Sequence, residues 1–455
     1  SIAERIHTIP SMVMKSEMLE RLDKQLVKNA SQKNTKQNVA IIMGGYSTER
    51  HISVESGRNI FEKLSSSGKY QPIPVFLTGK DDDHHLYVLP INVMLKDNAD
   101  DIKAKVEAYH HAPIITKIIN EAKAITEKYT ETPPVFEPKK ISYTDLTSIC
   151  ETVFIALHGR PGEDGQVQKH LDALHLPYNG SDVASSSTTI DKFKTNNILR
   201  ENGFLVADGA LVQKSSWESD KDNVLKEAQS MKFPLIAKPS DEGCSSAVKK
   251  LKSIEAFEAY AEATFRGNSA ISTAQKETLD IQEKEEFPAK DYFLVEQFID
   301  HEEAQNFLEI TGGLLTKYHE GELVYEIFEP SEALAEGEIL SLAEKFLAGE
   351  GQNITPARFS QNKDLNTHVS EVVRQEFEKV AKCLNVQGYC RIDAFVRIFE
   401  DRRVEVVIIE INSLPGMTPA TCIYHQAAIN GYKPFDFIDE ILTFGQQRLR
   451  HNLAV

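Results

Sequence analysis

Two continuous apolar runs, each followed by a glycine-containing turn, place the strongest limit on how this chain can fold. The runs are residues 39–43 (Val-Ala-Ile-Ile-Met), before Gly44 and Gly45, and residues 153–157 (Val-Phe-Ile-Ala-Leu), before His158. Strands that are apolar on both faces are typical of a parallel sheet covered by helices. Helical patterns lie between and after these runs. The sequence therefore predicts an α/β fold with ligands at the carboxyl ends of its strands.

Length and charge set the outer limits on function. The 455 residues suffice for about three domains. A formal net charge of −17 argues against binding nucleic acid or anionic membranes through bulk charge. No apolar run approaches the ~20 residues needed to span a bilayer, and the chain does not begin with a signal-peptide pattern. The five cysteines are scattered and form no CxxC pair, which favours neither a disulfide framework nor a structural zinc site. We expect a cytoplasmic protein without nucleic-acid or membrane partners; its first residue, Ser, is expected of a processed or partial chain.

Composition shifts divide the chain into four predicted segments. The first is an N-terminal helical arm and linker, and it is expected to lack chemistry. It is followed by a substrate-binding α/β domain with a helical insertion near 94–128, a central domain with an acidic helical insertion at 252–290 that has a solvated face, and a C-terminal domain. The bounds of the four segments are 1–37, 38–180, 181–295 and 296–455.

The clearest chemistry lies on a predicted hairpin, Arg391-Ile-Asp393 followed by Glu410-Ile-Asn412. Alternate residues of a strand share a face. A symmetric hairpin centred on Asp401-Arg402 places Asp393 opposite Glu410 and Arg391 opposite Asn412. Carboxylate and amide oxygens on an otherwise apolar hairpin suit Mg²⁺ bound together with nucleotide phosphates. Asp393, Glu410 and Asn412 are thus candidate metal ligands, and an exposed charged hairpin face is the alternative.

Three lysines add a candidate phosphate site. Lys238 ends an apolar strand, Lys192 opens a helix, and Lys345 lies in an irregular stretch. The sequence has no GxxxxGK[ST] P-loop, but the loop at 240–246 offers backbone N–H groups and hydroxyls. A single lysine is ordinarily a solvated surface charge. The prediction of triphosphate binding therefore depends on the metal patch beside the lysines.

Five segments together resemble the D-alanine–D-alanine ligase family of the ATP-grasp superfamily: 44–53, 157–165, 191–192, 238–243, and the hairpin with its continuation to 418. The resemblance covers about residues 38–448. It implies an N-terminal parallel-sheet domain, a central α+β lid domain and a C-terminal antiparallel-sheet catalytic domain. The implied activity is an ATP-dependent ligase that joins two D-alanines for peptidoglycan synthesis, and hence for cell-wall growth and cell shape.

The resemblance also implies roles for matching positions. Glu49 and His158 match groups beside the first D-alanine, and Gly416 and Thr421 match groups near the second substrate. Arg391 matches the arginine that stabilises the tetrahedral intermediate. The implied nucleotide and metal positions are Lys192, Lys238, Ser245 and Lys345 at the ATP phosphates, Glu296, Gln297, Phe298 and Ile299 at adenine, Glu303 at the ribose, and Asp393, Glu410 and Asn412 at two Mg²⁺ ions, for which Mn²⁺ is an option.

The sequence departs from the family where a Glu–Ser–Tyr triad ties the lid loop to the first-substrate site. The matching positions are Glu49, Cys244 and Phe346, all kept as catalytic candidates, and neither a thiol nor a phenyl ring reproduces that hydrogen bonding. Ala247 also stands where the family has glycine. Relatives with Phe beside the loop lysine tend to accept D-lactate, so D-lactate stays open as second substrate. A second alternative function is that of a catalytically weakened, ATP-binding regulatory or interaction module. The resemblance also implies that the chain can form a homodimer, because family members are usually dimers.

Overall fold

Three β-sheets and the helices around them form the described parts of the chain. A computed structural model describes residues 36–81, 83–129, 134–241, 243, 247–283, 285–334 and 353–454. In these ranges no helix is both long enough and apolar enough to cross a lipid bilayer.

The first sheet contains the two predicted apolar strands. Its strands are β1 (Gln37–Gly44), β2 (Tyr70–Lys80), β3 (Asp83–Val88), β4 (Lys139–Ile141) and β5 (Thr152–Ile155), in the order β4-β3-β2-β1-β5. Strand β1 pairs in parallel with β2 and β5, as predicted for buried strands, and β3 and β4 add antiparallel pairings. The accompanying helices are α1 (Arg50–Ser65), α2 (Ile91–Lys96), α3 (Ala99–Glu107), α4 (Pro113–Tyr129), α5 (Tyr143–Ile149) and α6 (Gln166–Ala173).

The second sheet is antiparallel throughout. Its strands are β7 (Gly209–Gln213), β8 (Leu235–Lys238), β9 (Lys249–Leu251) and β10 (Tyr292–Gln297), in the order β7-β10-β8-β9. Its helices are α9 (Lys214–Ser219), α10 (Lys221–Ser230), α11 (Ile254–Phe265) and α12 (Thr273–Thr278). Helix α11, within the segment 252–290, buries Phe257, Tyr260 and Phe265 in the core of this sheet and exposes Glu255 and Glu262, so it has the predicted solvated face.

The third sheet carries the predicted hairpin. Its strands are β6 (Leu205–Val206), β11 (Asn306–His319), β12 (Glu322–Ile327), β13 (Ser331–Ala333), β14 (Asn353–Ile354), β15 (Tyr389–Ile398) and β16 (Val404–Asn412). The helices around it are α7 (Val183–Thr189), α8 (Lys192–Glu201), α13 (Lys363–Cys383), α14 (Cys422–Ile429) and α15 (Pro434–Ala454). Strand β6 pairs in parallel with β16, and Leu199 of α8 lies in the core under this sheet. The bounds of the domains stay a prediction.

The three sheets differ in how their cores connect. The core of the first sheet continues through Leu414 and Met417 to Tyr389 of the third sheet and Phe437 of α15. The second sheet has a core of its own, which includes six buried aromatic side chains. The first and third sheets are therefore joined by apolar packing, whereas the loops described below join the second sheet to them.

Candidate active site

The hairpin β15–β16 brings four predicted site residues together. Arg391 pairs with Asn412, and Asp393 pairs with Glu410, as predicted. Residues two apart on one strand share a face, so all four side chains lie on one side of the hairpin. The candidate patch of two carboxylates, one amide and one guanidinium is therefore present in the fold.

The register of the hairpin changes close to this patch. Nearer the turn, Ile398 pairs with Val404 and Ala394 with Ile408, so the hairpin is centred on Asp401 rather than between Asp401 and Arg402. The ladder shifts between Asp393 and Ala394, leaving one extra residue on β16. A regular ladder starting from the observed turn would pair Asp393 with residue 409 instead of Glu410. The bulge shifts the pairing by one residue and so restores the predicted partners.

Arg391 and Asp393 form a buried ion pair. The guanidinium donates from Nε to Oδ1 and from a terminal nitrogen to Oδ2 of Asp393, both at 3.0 Å. The Thr311 hydroxyl donates to the same Oδ1 at 2.6 Å. Burial acts to lower the pKa of Arg391 and the charge of Asp393 to raise it, and the net direction is upward. The guanidinium therefore stays positive and fixed in direction.

Lys192 and Lys238, two of the three predicted lysines, reach carboxylates in the structure. Lys192 Nζ lies 3.4 Å from Oε2 of Glu410. Lys238 Nζ lies 2.5 Å from Oε2 of Glu296, and Asn196 donates to Oε1 of that residue at 2.8 Å. Glu296, predicted at the adenine, thus directs its side chain toward a lysine. An entering phosphate would compete with these carboxylates for the two ammonium groups.

The loop after β8 sits where several elements meet. The backbone N–H of Lys192 donates to the Ser240 carbonyl at 2.9 Å, and the Ser240 hydroxyl donates to Asp191 at 2.7 Å. Gly243 lies so close to Glu49 that a Cβ there would fall 2.2 Å from a carboxylate oxygen. Only glycine allows the backbone this close to the predicted ammonium-binding carboxylate.

Ala247, in the same loop, has an unusual backbone conformation. Its φ is +52°, in the left-handed region, and its side chain is fully buried. The Tyr260 hydroxyl donates to its carbonyl at 2.8 Å. An L-residue here costs about 1–2 kcal/mol. This conformation explains why glycine suits the position.

The loop at 413–418, expected near the second substrate, is held by hydrogen bonds from the first sheet's unit. His158 donates from Nδ1 to the Leu414 carbonyl at 2.8 Å, and its Nε2 accepts from the Ser56 hydroxyl at 2.8 Å. The Met417 N–H donates to Ser56 at 3.0 Å, and Asn59 donates to the Met417 carbonyl at 2.8 Å. Burial lowers the pKa of His158 to about 4, so the ring is neutral near pH 7.

Ser56 and Asn59 were not predicted as site residues. Both lie on the buried face of α1, three residues apart, and both reach Met417. A pair of polar residues on a helix face that otherwise packs into the core was the available sequence signal.

Glu163 is a third buried polar residue that sequence reasoning left without a role. Its two oxygens accept from the Gly159 N–H at 2.8 Å and the Leu414 N–H at 3.1 Å. Burial, followed by the charge of Glu49, raises the pKa of Glu163 to about 8. The carboxyl is therefore mostly protonated near pH 7 and ties the turn after β5 to the 413–418 loop.

The other predicted substrate and nucleotide positions lie on loops beside these groups. Gly416 lies within the 413–418 loop, and Thr421 precedes α14, its hydroxyl donating to the Thr418 carbonyl at 2.8 Å. The ring of Phe298, after β10, has Lys250 Nζ 3.9 Å from its centroid. Glu303 is exposed. The remaining predicted positions are Gln297, the last residue of β10, and Ile299, in the loop after it.

Four predicted site residues lie outside the described residues. They are Cys244, Ser245, Lys345 and Phe346. Their assigned roles stay predictions from the sequence.

The donor set on the hairpin fits a magnesium ion that binds with phosphates. Within the described ranges, no group of three or more His, Cys, Asp or Glu side chains could hold a metal by itself. Asp393, Glu410 and Asn412 nevertheless supply hard oxygen donors, and Asn412 Nδ2 is buried without a hydrogen-bond partner in this structure. Mg²⁺ characteristically takes one or two carboxylates and fills its other positions with phosphate oxygens and water.

Comparison with known families identifies the family of this chain. The family model described as D-ala D-ala ligase N-terminus matches residues 38–181, and that of the D-ala D-ala ligase C-terminus matches residues 198–282 and 271–443. The chain belongs to the D-alanine–D-alanine ligase family. This membership confirms the predicted enzyme class, that of the D-alanine–D-alanine ligases.

Individual relatives in this family match nearly the whole chain. A D-alanine–D-alanine ligase of Leptospira interrogans is 26% identical over 415 residues, covering 90% of this chain and 98% of the relative. One from Natranaerobius thermophilus is 28% identical over 389 residues, covering 84% of this chain and 87% of the relative.

Solved structures share the three-sheet fold. The Coxiella burnetii D-alanine–D-alanine ligase has a TM-score of 0.60 at 20% identity, covering 92% of this chain and 97% of that one. The VanG D-Ala:D-Ser ligase of Enterococcus faecalis has a TM-score of 0.59 at 18% identity, covering 90% and 99%. A Bacillus anthracis ligase complexed with ATP has a TM-score of 0.54 at 18% identity, covering 91% and 98%. These likenesses confirm the predicted fold class.

Proposed function

We propose that this ligase uses ATP to convert the carboxylate of one D-alanine into an acylphosphate, which the amine of a second D-alanine then attacks. The observation that carries this proposal is the hairpin patch, in which Arg391, Asp393, Glu410 and Asn412 share one face beside Lys192. The ATP complex of the Bacillus anthracis relative supports the choice of nucleotide. The dipeptide would serve peptidoglycan synthesis.

In the first step, a carboxylate oxygen of D-alanine attacks the γ-phosphorus of ATP. The bond from that phosphorus to the β–γ bridging oxygen breaks, and ADP leaves with the electron pair. Lys192 and Lys238 would exchange their present carboxylate partners, Glu410 and Glu296, for phosphate oxygens. Positive groups fixed at the phosphates stabilise the negative charge that spreads over them during transfer.

Asp393, Glu410 and Asn412 would hold the magnesium ions that we propose for this site, with Mn²⁺ as a substitute. When bound, such ions neutralise phosphate charge and orient the transferring group. The buried amide of Asn412 supports this proposal, because rotation about its last bond can present either its oxygen or its nitrogen to the patch.

In the second step, the unprotonated amine attacks the acyl carbon, the bond from that carbon to the phosphate oxygen breaks, and phosphate leaves with the electron pair and the proton that the nitrogen gives up. Arg391, buried and held by Asp393, is placed to stabilise the oxyanion of the tetrahedral intermediate. Glu49 would bind the ammonium of the first D-alanine. Because His158 is neutral and both of its ring nitrogens are engaged, we propose that it fixes the 413–418 loop and moves no proton.

The second substrate is tested directly by supplying different acceptors. We expect D-alanine-dependent release of ADP and phosphate, and mass spectrometry of reactions with D-alanine alone, D-lactate added or D-serine added to show D-alanyl-D-alanine as the main product. D-lactate is included because Phe346 replaces the family's Tyr, and D-serine because of the VanG relative. ATP binding without turnover on any of these mixtures would contradict the proposal and favour a nucleotide-binding module.

We also propose that the enzyme works as a cytoplasmic homodimer, as the resemblance to its family implies. Sedimentation equilibrium should then give about twice the chain mass of 51.1 kDa. A mass equal to that of one chain at micromolar concentration would contradict the dimer without affecting the proposed reaction.

A further inference from the structure

A row of polar side chains crosses the third sheet at the level of Asp393. Thr311 of β11 pairs directly with Asp393 of β15, which pairs on its other side with Glu410 of β16. Thr311 also pairs with Ser331 of β13. Directly paired residues of neighbouring strands share a face of the sheet, so these side chains lie in one line. Thr311 and Ser331 were not predicted as site residues.

Thr311 adds a third hydrogen bond to the carboxylate of Asp393. Its hydroxyl donates at 2.6 Å to Oδ1, the oxygen that also accepts from Nε of Arg391 at 3.0 Å. Oδ2 accepts from a terminal nitrogen of Arg391 at 3.0 Å. A carboxylate has about four acceptor positions, shared equally between its oxygens. Among the residues that the structure describes, Oδ1 is therefore fully used, and Oδ2 keeps an acceptor position for a further partner.

The hydroxyl of Thr311 supplies a direction that the ion pair alone does not. Arg391 and Asp393 belong to one strand, so their side chains can turn together without breaking the bonds between them. Thr311 belongs to the neighbouring strand, and its β-branched side chain has few rotamers. Because only 7% of Thr311 and 6% of Asp393 are exposed, water competes little for this bond. The hydroxyl therefore fixes the carboxylate relative to a second strand.

A buried glutamine holds Thr311 in turn. Gln426 of α14 donates from Nε2 to the Thr311 carbonyl at 2.7 Å and to the Ser331 hydroxyl at 2.9 Å. Gly313 of β11 makes room for this side chain, because a Cβ at that position would fall 2.5 Å from Oε1 of Gln426. Helix α14 begins next to Thr421, which is expected near the second substrate. Thr311 is therefore held both by the neighbouring strands and by the helix that carries this part of the site.

We propose that Thr311 is a positioning residue, which holds the Asp393 carboxylate so that the open position of Oδ2 is available to the magnesium ions proposed for this site. This inference rests on the proposed function, because it concerns the same metal patch. Groups that hydrogen-bond to a metal ligand orient it, and their loss typically weakens metal binding about 10- to 100-fold. A hydroxyl that only stabilised the fold would leave the metal affinity unchanged.

The experiment measures how much Mg²⁺ tightens nucleotide binding in the absence of turnover. Calorimetry gives the Kd of an ATP analogue with CH₂ in place of the β–γ bridging oxygen, once with Mg²⁺ and once with EDTA. The ratio of the Kd in EDTA to the Kd in Mg²⁺ isolates the contribution of the metal, because a general loss of structure would change both constants. For Thr311→Val we expect this ratio to fall about tenfold relative to wild type, while the Kd in EDTA stays within about twofold. Thr311→Ser, which keeps the hydroxyl, should restore most of the ratio.

Thr316→Val is the matched control, because Thr316 is a buried threonine of the same strand whose hydroxyl accepts from the Gly388 N–H at 2.7 Å. It should lower the melting temperature and keep the wild-type ratio. A wild-type ratio in folded Thr311→Val would overturn the inference while leaving the ligase reaction intact. If Thr311→Val fails to fold, Thr311→Ala decides by the same ratio. A wild-type enzyme that binds the analogue equally well in Mg²⁺ and in EDTA would instead overturn the proposed metal site, and this inference with it.

Discussion

Two loops beside the candidate active site are held, in their described residues, by different kinds of interaction. The 413–418 loop is fixed by buried hydrogen bonds: His158 donates to it, and Ser56 and Glu163 accept from it. The loop after β8 is held across units by ion pairs, of which Arg160 is partly exposed. The first loop joins units that share one apolar core, whereas the second belongs to a unit with its own core. We infer that the contacts of the 413–418 loop are the more strongly shielded from solvent of the two.

The largest expected effect comes from removing the buried ring of the first loop. His158→Ala deletes the bridge between Leu414 and Ser56 and leaves a cavity. We expect the free energy of unfolding to fall by about 2–4 kcal/mol. Thermal unfolding followed by circular dichroism measures this change. A melting temperature equal to that of wild type would show that the ring does not hold the loop.

The pH dependence of stability distinguishes the contribution of Glu163 from those of the other residues that hold the 413–418 loop. Its pKa in the folded enzyme is raised to about 8, so the stability it contributes is full below its unfolded pKa and is lost as pH rises through about 8. Between pH 6.5 and 8 we expect wild-type stability to fall by about 1–2 kcal/mol from this group. Glu163→Gln, which has no carboxyl to ionise, should lack that part of the slope. Parallel pH profiles of melting temperature for the two proteins would contradict the assignment.

A smaller and more selective effect is expected from the serine that supports Met417. Ser56→Ala removes the hydroxyl that accepts from the Met417 N–H and donates to His158. One buried hydrogen-bond partner contributes about 1 kcal/mol, so the KM of the second D-alanine site should rise about three- to tenfold. The first site should change less. Ser66→Ala, at the exposed end of the same helix, is the control, and equal changes at both sites would count against a role specific to this loop.

The sequence predicted those parts of the fold and site that depend on local pattern. Continuous apolar runs identified β1 and β5, and alternation along the predicted hairpin placed Asp393 opposite Glu410. The bulge beside that pair was not predicted, because the sequence analysis centred the hairpin between Asp401 and Arg402, whereas the observed turn is centred on Asp401. Its position depends on how β15 and β16 pack in the whole sheet.

Contacts between distant segments account for what the sequence did not predict. Glu163 contacts Leu414 across 251 positions, and Arg160 meets Asp241 between two units. No periodicity or spacing connects such residues, since only the tertiary fold brings them together.

The most direct measurement is the yield of D-alanyl-D-alanine and ADP from D-alanine and ATP by wild type and by Arg391→Gln. Arg391 is the buried guanidinium on which the proposed acyl-transfer step depends, and Arg374→Gln, on α13, makes the same chemical change at a half-buried arginine that pairs with Glu329. We predict one dipeptide per ADP for wild type and for Arg374→Gln, and a loss of at least about 100-fold in dipeptide formation for Arg391→Gln. Undiminished dipeptide formation by folded Arg391→Gln would contradict the site described here.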